Sequence, residues 1–464
     1  MRRKPLQKFE IYSHARRLMR INYLLSRFPR LLAFLRRYIG EPLLLNKETK
    51  FNSYIRGAFT ITGGATPRPE DYRAMRFQLK PMIAYLDAIV RSEELGKPVV
   101  WAEWCFSHEI LRAFPVLIYV PETPCVVANL KGSDYGALIM EEAEMEGIPV
   151  EYCSASKSTV SAYLLKQAPE PDLIITTSHP CDSTVSVYQI LHYLTKAPMY
   201  IMDTPYWDDQ ESYAYYEKNL WGLVRFLEKH LQQKMDWDKL KRICENVNTT
   251  NYYLRELTEM ARAIPTPTGF EPLIFAWLGR ISSFGSPEGA EYAKMSYQNA
   301  KHRLERQQGY LRSEQIRLIW WDVPIAFNNI HPWLEKVFGA VTVADFIGWV
   351  SAPHIDTSCE ETMIRDLAQA HLQVAMARQM RGPIELFTNE LQRIIDEFSG
   401  DCFIFVRHNG CKHGWASLKL VKDICHKAGL PALFLSTDIF DKRNLSEDQI
   451  KKEISTFFRT HGLA

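Results

Sequence analysis

Apolar and polar residues along this chain change rhythm several times. In the first 40 residues apolar positions recur at helical spacing, at Leu18, Ile21, Leu24 and Leu25 and again at Leu32, Phe34 and Leu35, which predicts amphipathic helices. From about residue 97 short β-rich runs begin, each bounded by turn residues or a helical stretch. They are Pro98–Trp101, Val116–Val120, Pro149–Tyr152, Asp172–Thr176 and Pro198–Met202, with helices expected over Tyr135–Glu146 and Val185–Thr195. A mostly helical, polar stretch follows from about 208 to 312, broken at Pro265, Pro267 and Gly269. The alternation then returns in Ile316–Trp321, Val341–Val343, Cys402–Val406 and Pro431–Leu435, with a helix expected over Leu418–Ala428.

Strand–helix–strand alternation predicts an α/β fold in which helices cover both faces of parallel sheets. The expected organisation is a helical N-terminal region (1–95), a first α/β domain (96–207), a helical connector (208–312) and a second α/β domain (313–464). A length of 464 residues fits about three domains. The two α/β units show no detectable repeat in sequence.

Composition narrows the class. With 46% apolar and 24% charged residues, the chain is neither disordered, collagenous nor a disulfide-dense miniprotein. A net charge of +2 gives no global basic field for nucleic acid. No apolar run approaches the ~18–20 residues of a membrane span, and the basic N-terminus lacks the apolar core of a secretory signal; a cytoplasmic protein is expected. The first 40 residues nevertheless hold 11 Lys/Arg against one acid, Glu10. Such a helix could lie on an anionic surface; packing on the body or on a partner subunit, with the arginines in water, is the expectation, because the rest of the chain offsets the charge.

The common nucleotide motifs are missing. No Gly-x-Gly-x-x-Gly follows a strand, no phosphate-binding loop of the Gly-x-x-x-x-Gly-Lys-Ser/Thr type occurs, and Gly63-Gly64 has no strand before it. Neither a Gly-x-Ser-x-Gly elbow nor a His-Glu-x-x-His helix is present. The nine cysteines carry more information. Cys153 follows the run ending at Tyr152, Cys181 follows the run before Ser178-His179-Pro180, and Cys411 follows the run before Arg407-His408-Asn409-Gly410. In open α/β sheets ligands bind outside the carboxyl ends of the strands. Two thiols from one sheet and one from the other could meet there as soft donors for an iron–sulfur cluster or zinc. A cysteine can equally be a small buried hydrophobe, the reading preferred for Cys105, Cys125, Cys244, Cys359, Cys402 and Cys425. Spacing alone leaves both readings open for Cys153, Cys181 and Cys411.

Longer stretches of residues 97–464 resemble the 2-hydroxyacyl-CoA dehydratase and benzoyl-CoA reductase family of iron–sulfur subunits. They are Ser107–Phe114 leading to Pro121-Glu122, Glu151–Ser154, Pro171–Asp182, Met199–Pro205, Asp401 through Cys411 to Pro431, and Asp438–Gln449. The resemblance implies two flavodoxin-like domains with a [4Fe-4S] cluster between them on Cys153, Cys181 and Cys411, leaving a fourth iron open to substrate. It also implies a homologous second iron–sulfur subunit, a separate ATP-hydrolysing activator with its own cluster, and an acyl-CoA substrate. The expected function is the iron–sulfur subunit of an ATP-dependent acyl-CoA reductase of benzoyl-CoA reductase type. Such a subunit delivers single electrons to an aromatic acyl-CoA thioester. Chain length favours it, and the aromatic residues near the candidate sites (Trp101, Trp104, Tyr206, Trp207, Trp320, Trp321, Trp415) would suit a planar acyl group, although core packing is the preferred reading of these aromatics. The alternatives are a 2-hydroxyacyl-CoA dehydratase subunit acting through a ketyl radical, and a non-catalytic electron-relay or scaffold subunit in which Cys105 or Cys125 closes the fourth iron. His179 is the expected proton donor by position, with His408 and His413 behind it; each could instead hydrogen-bond a ligand sulfur or the backbone. Asp182 is expected to cap the following helix.

Overall fold

The computed structural model describes residues 6–40, 42–43, 56, 68–348 and 350–464; Gly63-Gly64 and the cations Arg2, Arg3 and Lys4 lie outside them. Two four-stranded sheets, every pairing parallel, form the frame. The first has the order β2-β1-β3-β4, from β1 (Val99–Ala102), β2 (Leu117–Tyr119), β3 (Leu173–Thr177) and β4 (Met199–Met202). The second has the order β6-β5-β7-β8, from β5 (Ile316–Trp321), β6 (Ala340–Asp345), β7 (Cys402–His408) and β8 (Ala432–Thr437). The two orders are one pattern. Every residue of β1, β3, β5 and β6 is buried, as expected of parallel strands covered on both faces.

The repeat extends to individual bonds. Asp172, just before β3, accepts the Val99 N–H at 2.7 Å, and Asp401, just before β7, accepts the Arg317 N–H at 2.7 Å. Ile174 donates its N–H to the Pro198 carbonyl and Phe403 to the Pro431 carbonyl, each at 2.9 Å. In both halves an aspartate pins the first strand against the third, and a proline opens the fourth.

One expected strand is not a strand. Residues 149–152 form a turn after the helix Ser133–Met145. The run Pro-Val-Glu-Tyr has β-formers at two positions, but Gly147 at φ 91° and Pro149 break the chain ahead of them, and Val150 stays 66% exposed. The connector holds the long helices Gln210–Leu231 and Trp237–Met260, capped by Asp209 and Asp236, whose carboxylates accept the Ser212 and Lys239 N–H groups at 2.8 and 2.7 Å. After the break at 261–269 come Phe270–Leu278 and Pro287–Glu305.

The basic N-terminal segment packs on the body. The helix Glu10–Leu25 buries Ile11, Tyr12, Ala15, Leu18 and Met19. Tyr12 Oη lies 2.6 Å from Thr123 Oγ1, and Arg16 and Arg20 share Asp87 at 2.7 and 3.0 Å. Among the described residues no helix is long and apolar enough to cross a membrane.

A buried carboxylate–imidazole contact ties the two halves together. Glu109, in the helix Glu109–Ala113 after β1, meets His371 Nε2 at 3.1 Å, from the helix Glu360–Leu372 after β6. Burial alone would raise the Glu109 pKa, but the His371 bond and charge and the Arg280 charge outweigh it and hold it at about 2. A carboxylate depressed from its ordinary value contributes stability above pH ~4.5 that is lost as pH falls through ~2. Acid titration of unfolding should therefore remove up to about 3 kcal/mol over that window. Glu109→Gln should be less stable at neutral pH and flatter between pH ~4.5 and ~2; an unchanged acid profile in the variant would refute the assignment.

Candidate functional site

The three cysteines that the sequence singles out share a structural position. Each is the residue that opens a helix: Cys153 before Ser154–Leu164, Cys181 before Asp182–Thr195 and Cys411 before Lys412–Lys427. They are also the three partly exposed cysteines; Cys105, Cys125, Cys244, Cys402 and Cys425 are buried, and Cys359 is exposed. Cys181 and Cys411 follow β3 and β7, next to the β1/β3 and β5/β7 boundaries where the strand order reverses and ligands bind. Cys153 reaches the same place from a helix–turn–helix path rather than from a strand end. Asp182 is not the cap, because Cys181 occupies that position; Asp182 is the first residue of the helix.

Contacts across the crevice bring the three loops together. Gly410 sits so close to Cys153 that a β-carbon on it would lie 2.5 Å from Cys153 Cα and 2.8 Å from the Tyr152 carbonyl. Asp182 pairs with Lys412 Nζ at 2.6 Å, joining the neighbours of Cys181 and Cys411. Tyr152 Oη donates to the Ser183 carbonyl at 2.6 Å, joining the neighbours of Cys153 and Cys181. Cys153 Sγ lies 3.5 Å from His408 Nε2, and His408 Nδ1 lies 3.7 Å from Asp438 Oδ2.

Each thiol's ionisation depends on its neighbours. Burial raises the Cys153 pKa, but the His408 hydrogen bond and charge bring it below the ordinary thiol value. Burial, then the Cys153 charge, pushes Cys181 up. Burial, then Asp322, pushes Cys411 up, with Cys153 and Cys181 adding to it. Backbone N–H groups of Ser156, of Ser183 and Thr184, and of Gly414 favour the thiolates, the last reaching Cys411 Sγ at 3.3 Å. Cys181 and Cys411 are thus disfavoured as thiolates, a penalty that a bound metal centre would remove. Among the described residues no three His, Cys, Asp or Glu converge on a single metal ion.

The two other nearby thiols are differently engaged. Cys125 Sγ donates to the Glu122 carbonyl at 2.9 Å, and Cys105 Sγ faces Met376 Sδ at 3.9 Å. Burial is the main reason that both pKa values stand well above normal. His179 is buried; burial, then the charges of Arg381 and His371, lower it to about 3, and its Nδ1 has no partner among the described residues. His413, in the first turn after Cys411, is also lowered by burial.

Two carboxyls escape a reading of the sequence. Glu103 follows β1 and Asp322 follows β5, the same place in each half. Desolvation lifts each to about 7. Beside them lies an apolar cavity of about 250 Å³. Trp104, Trp277, Phe275, Met75, Val323 and Phe440 are among its walls, with the Trp104 and Trp277 rings 4.9 Å apart. Two lining residues carry buried donors with no acceptor among the described residues, Trp104 Nε1 and Asn328 Nδ2. Of the aromatics singled out in sequence, Trp104 lines this cavity, whereas Trp101, Trp320 and Trp321 are fully buried in the sheets and Tyr206, Trp207 and Trp415 are exposed.

A family model described as 2-hydroxyglutaryl-CoA dehydratase, D-component, matches residues 103–460. The chain belongs to this family. It is similar to the alpha subunit of lactoyl-CoA dehydratase from Anaerotignum propionicum, 21% identical over 392 residues, covering 77% of this chain and 89% of that protein. It is also similar to a benzoyl-CoA reductase subunit from Thauera aromatica, 22% identical over 414 residues, covering 82% and 93%. The enzymatic family and the two parallel-sheet units thus agree with the sequence expectation.

Proposed function

We propose that this chain is the iron–sulfur subunit of an acyl-CoA reductase of benzoyl-CoA reductase type, with a [4Fe-4S] cluster on Cys153, Cys181 and Cys411. The observation that supports the proposal is that the loops carrying these three partly exposed thiols, each at a helix start, touch one another across one crevice. Held there, the cluster would supply single electrons to a bound thioester. The chain's own residues do the rest. The adjoining indoles of Trp104 and Trp277 form one aromatic wall against which a planar acyl group can lie, and exclude water. The Trp104 Nε1–H and Asn328 Nδ2–H are donors available to its carbonyl oxygen. Glu103 and Asp322, titrating near neutrality, can hold or release a proton at their carboxyl oxygens. His179, kept uncharged by burial, is proposed to act on the substrate through its ring N–H.

Both relatives are named as subunits, which supports a partner subunit; its being homologous, and the separate ATP-hydrolysing activator, are what the family resemblance implies. The apolar, aromatic cavity favours an aromatic acyl group. A 2-hydroxyacyl-CoA dehydratase is the second reading, supported by the family description. The test is anaerobic turnover with ATP, a reductant and an added activator. Ring reduction of an aromatic acyl-CoA, with no turnover when the activator is omitted, is expected. Dehydration of 2-hydroxyacyl-CoA without any ring reduction would select the second reading.

A further inference from the structure

The N-terminal segment has two apolar faces. The inner one is set into the body. Ile11, Tyr12, Ala15, Leu18 and Met19 of the helix Glu10–Leu25, and Leu32 of the helix Pro29–Leu35, are buried, and between them the two helices pack on Pro69–Val90 and Thr123–Lys131. The outer face is in water. Ile21, Leu24, Phe28, Leu31, Phe34 and Tyr38 follow one another three or four residues apart, and all are exposed, Phe28 at 62% and Tyr38 at 60%. Spacing of that kind puts neighbours on one side of a helix, so both helices present apolar groups outward. The Phe34 and Tyr38 rings lie 4.6 Å apart.

Exposed arginines are interleaved with these groups, at Arg17, Arg27, Arg30 and Arg37. None of the four meets a carboxylate among the described residues; Arg27 and Arg37 lie over the rings of Tyr23 and Tyr38, at 5.8 and 5.6 Å. The nearby acids are engaged by other cations. Asp87 holds Arg16 and Arg20, Glu10 holds Lys131, and Glu70 and Asp71 face Arg303. Those four are the only acids in the two outer helices and the two helices beneath them. The surplus of positive charge on this face is therefore counted after its neighbours.

We propose that this face binds the surface of an anionic membrane. Unmatched cations set among exposed aliphatic and aromatic groups call for a partner that is both apolar and uniformly negative, as an anionic bilayer is. The apolar groups would enter the boundary between headgroups and acyl chains, and the arginine stems would reach back to the lipid phosphates. A second copy of this chain would set the same cations against each other. Nucleic acid would engage the arginines and leave the apolar groups in water. No helix among the described residues is long and apolar enough to cross a membrane, so this binding is peripheral.

The test is flotation of the full chain, purified anaerobically, with two kinds of vesicle: phosphatidylcholine alone, and equal parts of phosphatidylcholine and phosphatidylglycerol. The wild-type chain should bind the mixed vesicles about tenfold or more tightly than the neutral ones, and salt should weaken that binding. Phe28→Ser/Phe34→Ser should lose about tenfold in affinity for the mixed vesicles, and Arg30→Gln/Arg37→Gln about as much. All four side chains are exposed, so both double variants should keep the wild-type circular dichroism. Failure of the wild-type chain to bind the mixed vesicles overturns the proposal, as does binding that neither double variant weakens. Sedimentation velocity identifies the rival. A wild-type chain that ignores vesicles but associates with itself or with a copurifying subunit, and loses that association in Phe28→Ser/Phe34→Ser, assigns the face to a protein interface instead.

Discussion

Serine at position 153, 181 or 411 should cost the protein its cluster or convert it to a species of lower iron content. A serine oxygen is a hard donor and a poor replacement for a thiolate on iron. Each of the three sulfurs comes from a different helix start, so no neighbouring thiol sits ready to substitute. Cys125 donates its S–H to a carbonyl and Cys105 faces a methionine sulfur. Cys359 is the control: it also opens a helix, but it is exposed, with its Sγ 3.5 Å from Thr362 Oγ1. Cys359→Ser should retain full iron. Iron retained in full by all three site variants would refute the assignment.

Gly410→Val should have nearly as large an effect without touching a ligand. The added β-carbon would lie 2.5 Å from Cys153 Cα and 2.7 Å from Cys153 N. Both are backbone atoms, so no flexible side chain can move aside; one loop must retreat from the other. Cys411 follows directly and would be carried away from Cys153. The expected result is a folded protein by circular dichroism that binds little iron, with Gly410→Ala showing a weaker form of the same defect. Wild-type iron content in Gly410→Val would mean that the contact of the two loops does not govern the site.

Much of this arrangement is legible in the residues, for definable reasons. The strands of both sheets are short apolar runs with turn residues at their ends, and local pattern is enough to find them. The run 149–152 fails because Gly147 and Pro149 dictate a turn more strongly than Val150 and Tyr152 favour a strand. The repeat is hidden because it rests on few side chains, Asp172 with Asp401 and Pro198 with Pro431, set among unlike apolar residues. An aspartate and a proline bracketing each third strand are the available signal. Glu103 and Asp322 do not stand out, since a lone acid after a strand has no spacing and its raised pKa comes from burial by distant elements. Trp277 lies in the connector, far in sequence from Trp104, and their pairing is a product of tertiary packing. The tryptophans of β1 and β5 look like site aromatics in the sequence but fill the interior, which a continuous apolar run around them already favours.

Iron and acid-labile sulfide analysis of the anaerobically purified chain, with EPR of the reduced protein, asks directly whether Cys153, Cys181 and Cys411 together hold an iron–sulfur cluster. A brown protein is expected, with iron and sulfide in equal amounts, enough for one [4Fe-4S] cluster per chain, and a reduced-state signal that shifts when an aromatic acyl-CoA is added. A colourless protein that contains zinc, or one with no acid-labile sulfide after anaerobic purification, would contradict the assignment.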